Sequence, residues 1–110
     1  MFLLLTHFSL AAEFLLGDQA MQYRELSNGL DMLWIDDGQP TVDLYVIYAA
    51  GHYMDTKPSL AHMTEHAMFC VESGAFDELL KPYVRATNAY TRKEHTTYYS
   101  TEIALENFSI

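Results

Sequence analysis

The chain has 110 residues, enough for one small domain, and half of it is apolar, so a packed core is expected and wholesale disorder is not. Six basic residues stand against fifteen acidic ones, a formal charge of −9; this speaks against nucleic-acid binding, which needs Lys and Arg to neutralise phosphates, while it fits a cation site, a basic substrate or plain solubility. The sole cysteine, Cys70, leaves no internal disulfide and reads as a small buried apolar residue.

Residues 1–17 (MFLLLTHFSLAAEFLLG) are strongly apolar, interrupted by His7 and Glu13. The run falls short of the roughly 20 apolar residues of a stable membrane span. It has the length of a secretory signal core, with Ser9, Ala11 and Ala12 near a cleavage point, although no Lys or Arg precedes it. On that reading the protein is exported, to a periplasm or to the medium. The alternatives are an N-terminal helix packed on the domain or a mis-assigned start, with a cytoplasmic protein. Residues 1–20 are therefore set apart from a domain expected over 21–110.

Two strand-like runs follow, 21–26 and 30–35, around Asn28-Gly29. That dipeptide is the strongest short hairpin signal and predicts a two-residue turn with positive φ at both positions. Asp36-Asp37-Gly38-Gln39-Pro40 is a second turn. Residues 41–50 (TVDLYVIYAA) read as a central strand, and 51–58 as a loop. Ser59 is placed to N-cap a helix over 60–70. Outside its polar positions that helix is apolar (Leu60, Ala61, Met63, Ala67, Met68, Phe69), which predicts burial on nearly all sides. After a break at 72–74, residues 76–81 (FDELLK) form a short amphipathic helix stopped by Pro82. Residues 87–91 and 96–103 read as strands. In the latter, alternation puts Thr97, Tyr99, Thr101 and Ile103 on one face and Thr96, Tyr98 and Ser100 on the other.

The chemistry concentrates in His62-Met63-Thr64-Glu65-His66. At about 100° per residue, His66 sits about 40° from His62, one turn on, and Glu65 about 60° to its other side. All three project from one face, with two imidazoles placed to hold one zinc ion. A metal lowers the pKa of bound water, and a carboxylate beside that water accepts its proton. His62 and His66 are thus candidate ligands and Glu65 the candidate general base. This order of residues is the inverzincin motif. The bland alternative is a pair of core histidines bonded to Glu65 and backbone. Catalytic zinc usually has three protein ligands. His52, Glu72, Glu94, His95, Glu102 and Glu106 are all candidates for the third, and nothing in the sequence singles one out.

Several stretches in register resemble the N-terminal catalytic domain of the M16 metallopeptidases, the insulinase, pitrilysin and mitochondrial-processing-peptidase family. They are Leu26-Ser27-Asn28-Gly29-Leu30, residues 40–51, Leu60-Ala61-His62-Met63-Thr64-Glu65-His66-Ala67-Met68-Phe69, Asn88-Ala89-Tyr90-Thr91, and Glu94-His95-Thr96-Thr97-Tyr98-Tyr99. The last is similar to the insulinase branch. The resemblance implies an α+β fold, a mostly antiparallel sheet packed with helices on one side, here a truncated half domain. It implies one Zn2+ ion on His62 and His66, with Glu65 activating water. It also implies a peptide substrate held as an added β-strand beside Asn88 and Ala89. Tyr98 and Tyr99 stay ordinary strand aromatics.

The departures from the family pattern matter as much. Its third zinc ligand is a glutamate well downstream of the second histidine, and this chain ends at Ile110, before that position. Val84-Arg85-Ala86-Thr87 stands where the family has glycines. The expectation is therefore a zinc metalloendopeptidase segment, or a catalytically inactive fragment or interaction module of the same fold. Its partners would be a peptide and either the missing C-terminal part or a second subunit, with no nucleic acid and no stable membrane span. Weak zinc binding without measurable peptidase activity is expected of the chain itself. The S-ribosylhomocysteine lyases share a similar motif, but the 88–99 pattern speaks against them.

Overall fold

A computed structural model describes residues 11–16, 19–70 and 76–107. The protein is α+β, with antiparallel sheets and few helices. It divides into two compact units, Met1–Gln39 and Pro40–Ile110. Where one mostly antiparallel sheet is expected, the described residues form two, each of three strands.

The first unit is a meander of β1 (Ala11–Leu16), β2 (Gln19–Glu25) and β3 (Asp31–Asp36). Ala11–Leu16 is therefore strand and not helix; residues 1–10, with the rest of the apolar N-terminal run, lie outside the described residues. Among the described side chains of this unit, Met21 is the buried apolar one. The β2–β3 hairpin falls where Asn28-Gly29 predicts it, but the turn differs. Leu26 and Leu30 still pair through Leu26 N–H to Leu30 C=O, 2.8 Å, and Gly29 N–H bonds Leu26 C=O, 2.9 Å. The loop is thus Ser27-Asn28-Gly29, with positive φ at Gly29 (81°) and not at Asn28. This is the three-residue form in which the glycine alone takes the left-handed position. Asn28 accepts from Leu30 N–H through its side chain. The second turn is built from two side-chain caps, Asp36 to Gly38 N–H and Asp37 to Gln39 N–H.

The second unit carries β4 (Thr41–Tyr48), β5 (Ala86–Thr91) and β6 (Thr96–Ala104) in the order β4-β6-β5, so among the described residues β5 is an edge strand. Helix α1 (Leu60–Met68) lies over β5 and β6, and α2 (Phe76–Leu80) touches β5. Opposed pairs define the two faces. Val42, Val46 and Tyr48 stand opposite Ile103, Tyr98 and Thr96, and the face continues through Ala89 and Thr91. The other face carries Tyr45, Ile47, Thr97, Tyr99, Asn88 and Tyr90. Ile103 is thus not on the Thr97 face as strict alternation predicts. The register shifts between Val42 and Leu44, Glu102 adopts a left-handed φ of 54°, and its N–H bonds the Asp43 carboxylate at 2.8 Å. An extra residue in β6 at this bulge moves Ile103 to the Ser100 face, where it is buried with Val42.

Helix α1 is less buried than its composition predicts. Leu60, Met63 and Met68 are exposed, and Glu65 is its one buried side chain. Three strands about 4.8 Å apart cover a single helical stripe, and that stripe falls on the polar position. Ser59 does not cap the helix: it sits at φ 63° without a side-chain bond. Asp55 caps it instead, accepting from Ala61 N–H at 2.8 Å. Cys70, expected buried, is exposed. No helix among the described residues is long and apolar enough to cross a membrane.

Candidate metal centre

Helical geometry alone brings His62 and His66 together, and their Nε2 atoms lie 3.1 Å apart. The rings are tilted with centres 4.7 Å apart. Both histidines are exposed and Glu65 beneath them is buried, 7% exposed. One donor atom from each of His62, Glu65 and His66 lies within 4.8 Å of the others. No other His, Cys, Asp or Glu joins this cluster among the described residues.

Glu65 is held from the sheet. Thr91, at the end of β5, donates its hydroxyl to Glu65 Oε2 at 2.5 Å. Thr96, across the hairpin, donates to Ala50 C=O at 2.8 Å and reaches Thr91 Oγ1 at 3.4 Å. A column of hydroxyls on one sheet face thus fixes one carboxylate oxygen, and Oε1 is the oxygen left for other work. Tyr98 lies on the same face, against Phe69 of the helix terminus. Its phenol is pushed up from the ordinary tyrosine value, first by burial, then by the negative charge of Glu65 and by Tyr48. Thr91 and Thr96 are the contributors that pattern reading passes over: a threonine at a strand end carries no signal of the glutamate it meets.

The loop before α1 is pinned to the β5–β6 hairpin. His52 N–H bonds Arg92 C=O and Tyr53 N–H bonds Lys93 C=O, within a 3₁₀ turn at His52–Met54. Gly51 is buried at this crossing, where a Cβ would meet Arg92 O at 2.4 Å, His95 N at 2.6 Å and Lys93 O at 2.6 Å. Only glycine lets the backbones approach so closely.

The remaining candidates separate. His52 has its ring centre 6.3 Å from that of His62. His95 packs on Tyr90. Glu102 pairs with Arg85 at 2.6 Å. Glu94 and Glu106 are exposed outside the cluster, and Glu72 lies outside the described residues. Asn88 and Ala89 are on the edge strand. Asn88 is exposed on the face away from α1, and Ala89 is half-buried on the helix face. Arg92 N–H bonds His95 C=O across the hairpin. Amide directions alternate along a strand, so the Ala89 N–H points to the open edge. There it is held at 2.8 Å by the Asn88 side-chain oxygen.

The two histidines fit a zinc ion. Nitrogens bound to one tetrahedral zinc at about 2.0–2.1 Å stand about 3.3 Å apart, close to the separation seen. Comparison of the chain with protein-family models, with curated proteins and with solved structures found no match.

Proposed function

We propose that the Pro40–Ile110 unit is a zinc-dependent metalloendopeptidase segment of the M16 kind, in which His62 and His66 hold the metal and Glu65 is the general base. The observation that carries this is the 3.1 Å approach of the two Nε2 atoms with a buried glutamate on the same helix face. A zinc ion there supplies a polarised water and Lewis acidity toward a peptide carbonyl. Thr91 fixes Glu65 through Oε2, so Oε1 receives the proton and later returns it to the leaving amine. The open edge of β5 supplies a place for an extended peptide, and strand addition reads backbone more than side chains. A peptide entering this edge takes the Ala89 N–H from the Asn88 side chain.

A second reading is a binding module of the same fold that keeps the motif without turnover. It is supported by the cluster's having two histidines among the described residues, where catalytic zinc has three protein ligands. Zinc titration of the chain and of a His62→Ala, His66→Ala double variant tests the ligands, and equal affinity would sink them. A quenched-fluorescence peptide assay then separates the readings. Hydrolysis lost in Glu65→Gln supports the peptidase; zinc-dependent peptide binding with no hydrolysis supports the module.

A further inference from the structure

We propose that Arg92, at the tip of the β5–β6 hairpin, is a specificity-determining residue that selects extended peptides bearing a carboxylate, an inference that rests on the reading of β5 as a peptide-binding edge. An added strand gains affinity from backbone bonds and selectivity from the side chains it meets on each face. On the face away from α1, the end of β5 presents Tyr90 and then, two residues on, Arg92. The Arg92 guanidinium carbon stands 5.3 Å from the centre of the Tyr90 ring. The side chain therefore folds back along the edge strand and does not trail off the tip. Tyr90 is steadied in turn by the rings of Tyr99 and His95, with centres 6.3 Å and 6.1 Å away. The Arg92 backbone is tied on both sides: its N–H donates to His95 C=O at 2.7 Å, and its C=O accepts from His52 N–H at 3.0 Å.

The charge of Arg92 is uncommitted. Lys81 and Arg85 of the same unit are paired with Glu78 at 3.1 Å and Glu102 at 2.6 Å. Arg92 is exposed and has no carboxylate partner among the described residues. Lys93, also exposed, lies over the Tyr53 ring at 5.6 Å and adds a second cation to the tip. Glu94 follows it and pairs with neither cation among the described residues. A strand added to β5 runs about 4.8 Å from it, with facing Cβ atoms about 4.5–5.5 Å apart. A glutamate of that strand on the Tyr90 face is thus within reach of the guanidinium, whose planar fork holds a carboxylate through two N–H donors. The net charge of −9 does not cancel this attraction, because exposed charges more than about 8 Å away are largely screened at physiological salt. The carboxylate can belong to a side chain or to a chain terminus.

The test is binding of short, end-capped extended peptides to the chain with zinc present, read by fluorescence anisotropy, with intact peptide checked by mass spectrometry. A single glutamate, then a single lysine, is walked through a glutamine-containing parent peptide; one further peptide keeps the glutamines and has a free C-terminal carboxylate. At positions on the Tyr90 face, glutamate is expected to tighten binding about threefold over glutamine and lysine to weaken it by a similar factor. A gain in the free-terminus peptide alone supports the same site with a chain terminus as its ligand. Arg92→Gln is expected to abolish the preference and Arg92→Glu to reverse it; the backbone bonds of residue 92 do not involve its side chain, and circular dichroism checks the fold. Peptides bound equally whatever their charge overturn the selectivity and leave the peptide edge standing. A preference for glutamate that persists in both variants overturns the assignment to Arg92. Failure of every peptide to bind overturns the edge reading and this inference together.

Discussion

Thr91→Val is the sharpest perturbation of the site, because it deletes one hydroxyl at nearly constant volume. The lost bond runs from Thr91 Oγ1 to Glu65 Oε2 at 2.5 Å, onto a side chain 7% exposed. A hydrogen bond to a charged acceptor contributes about 1.5–3 kcal/mol. Thr91 itself is only half-buried, so water replaces part of the bond and the cost is set at about 2 kcal/mol. In a domain of this size 1 kcal/mol moves Tm by about 4–8 °C, so a fall of about 8–16 °C is expected. Thermal melts by far-UV circular dichroism measure it. The same substitution in a Glu65→Gln background should cost about 1 kcal/mol less, since a neutral acceptor holds the hydroxyl less strongly. Melts within 2 °C of each other, or an equal cost in both backgrounds, would refute the claim that the sheet hydroxyl positions this glutamate.

Further outcomes follow from the same geometry. Gly51→Ala forces a Cβ against three backbone atoms at 2.4–2.6 Å and should lower stability by about 1–3 kcal/mol or more in urea unfolding. Thr97, 1% exposed, has no hydrogen-bond partner for its hydroxyl among the described residues; Thr97→Val should raise stability by about 1 kcal/mol in the same assay. Ala89→Pro should keep the fold, because its N–H points away from β6 and Pro is tolerated on such an edge, and should lose zinc-dependent binding of an extended peptide by calorimetry. Tyr98, with a phenol raised by burial and then by Glu65, should titrate above pH 10 by ¹³Cζ chemical shift. The neutral phenol is the form the fold favours, so this contribution is complete below the unfolded value and is lost as pH rises through the folded one. Glu65→Gln should bring the Tyr98 midpoint down toward 10.

Much of the strand and helix order was legible because its signals are local. The runs 87–91 and 96–103 reappear as β5 and β6 within a residue at each end, and Phe76–Leu80 is helical where Pro82 predicts a stop. The structure departs from these local signals where a distant or added residue intervenes. Ser27 lengthened the hairpin loop, so Asn28 escaped the left-handed conformation. Asp55, four residues before Ser59, took over the helix cap. Glu102 adopted a conformation that glutamate rarely shows, with Asp43 on another strand accepting its N–H, and Ile103 changed face as a result. Burial of α1 falls short of its composition because an apolar composition says what a helix can bury, while the sheet decides how much cover it receives.

The sequence by itself determined the pairing of His62 with His66 and the side on which Glu65 projects, since residues three and four apart on a helix are neighbours whatever surrounds them. Tertiary structure decided what that stretch works with. Thr91 lies 26 residues from Glu65 and became its hydrogen-bond donor only through the packing of α1 on the sheet. His52 came to stand beside His62 only because a glycine at 51 lets its loop press on the β5–β6 hairpin. Such meetings depend on how whole elements pack and on which backbones can touch, and no spacing along the chain encodes them.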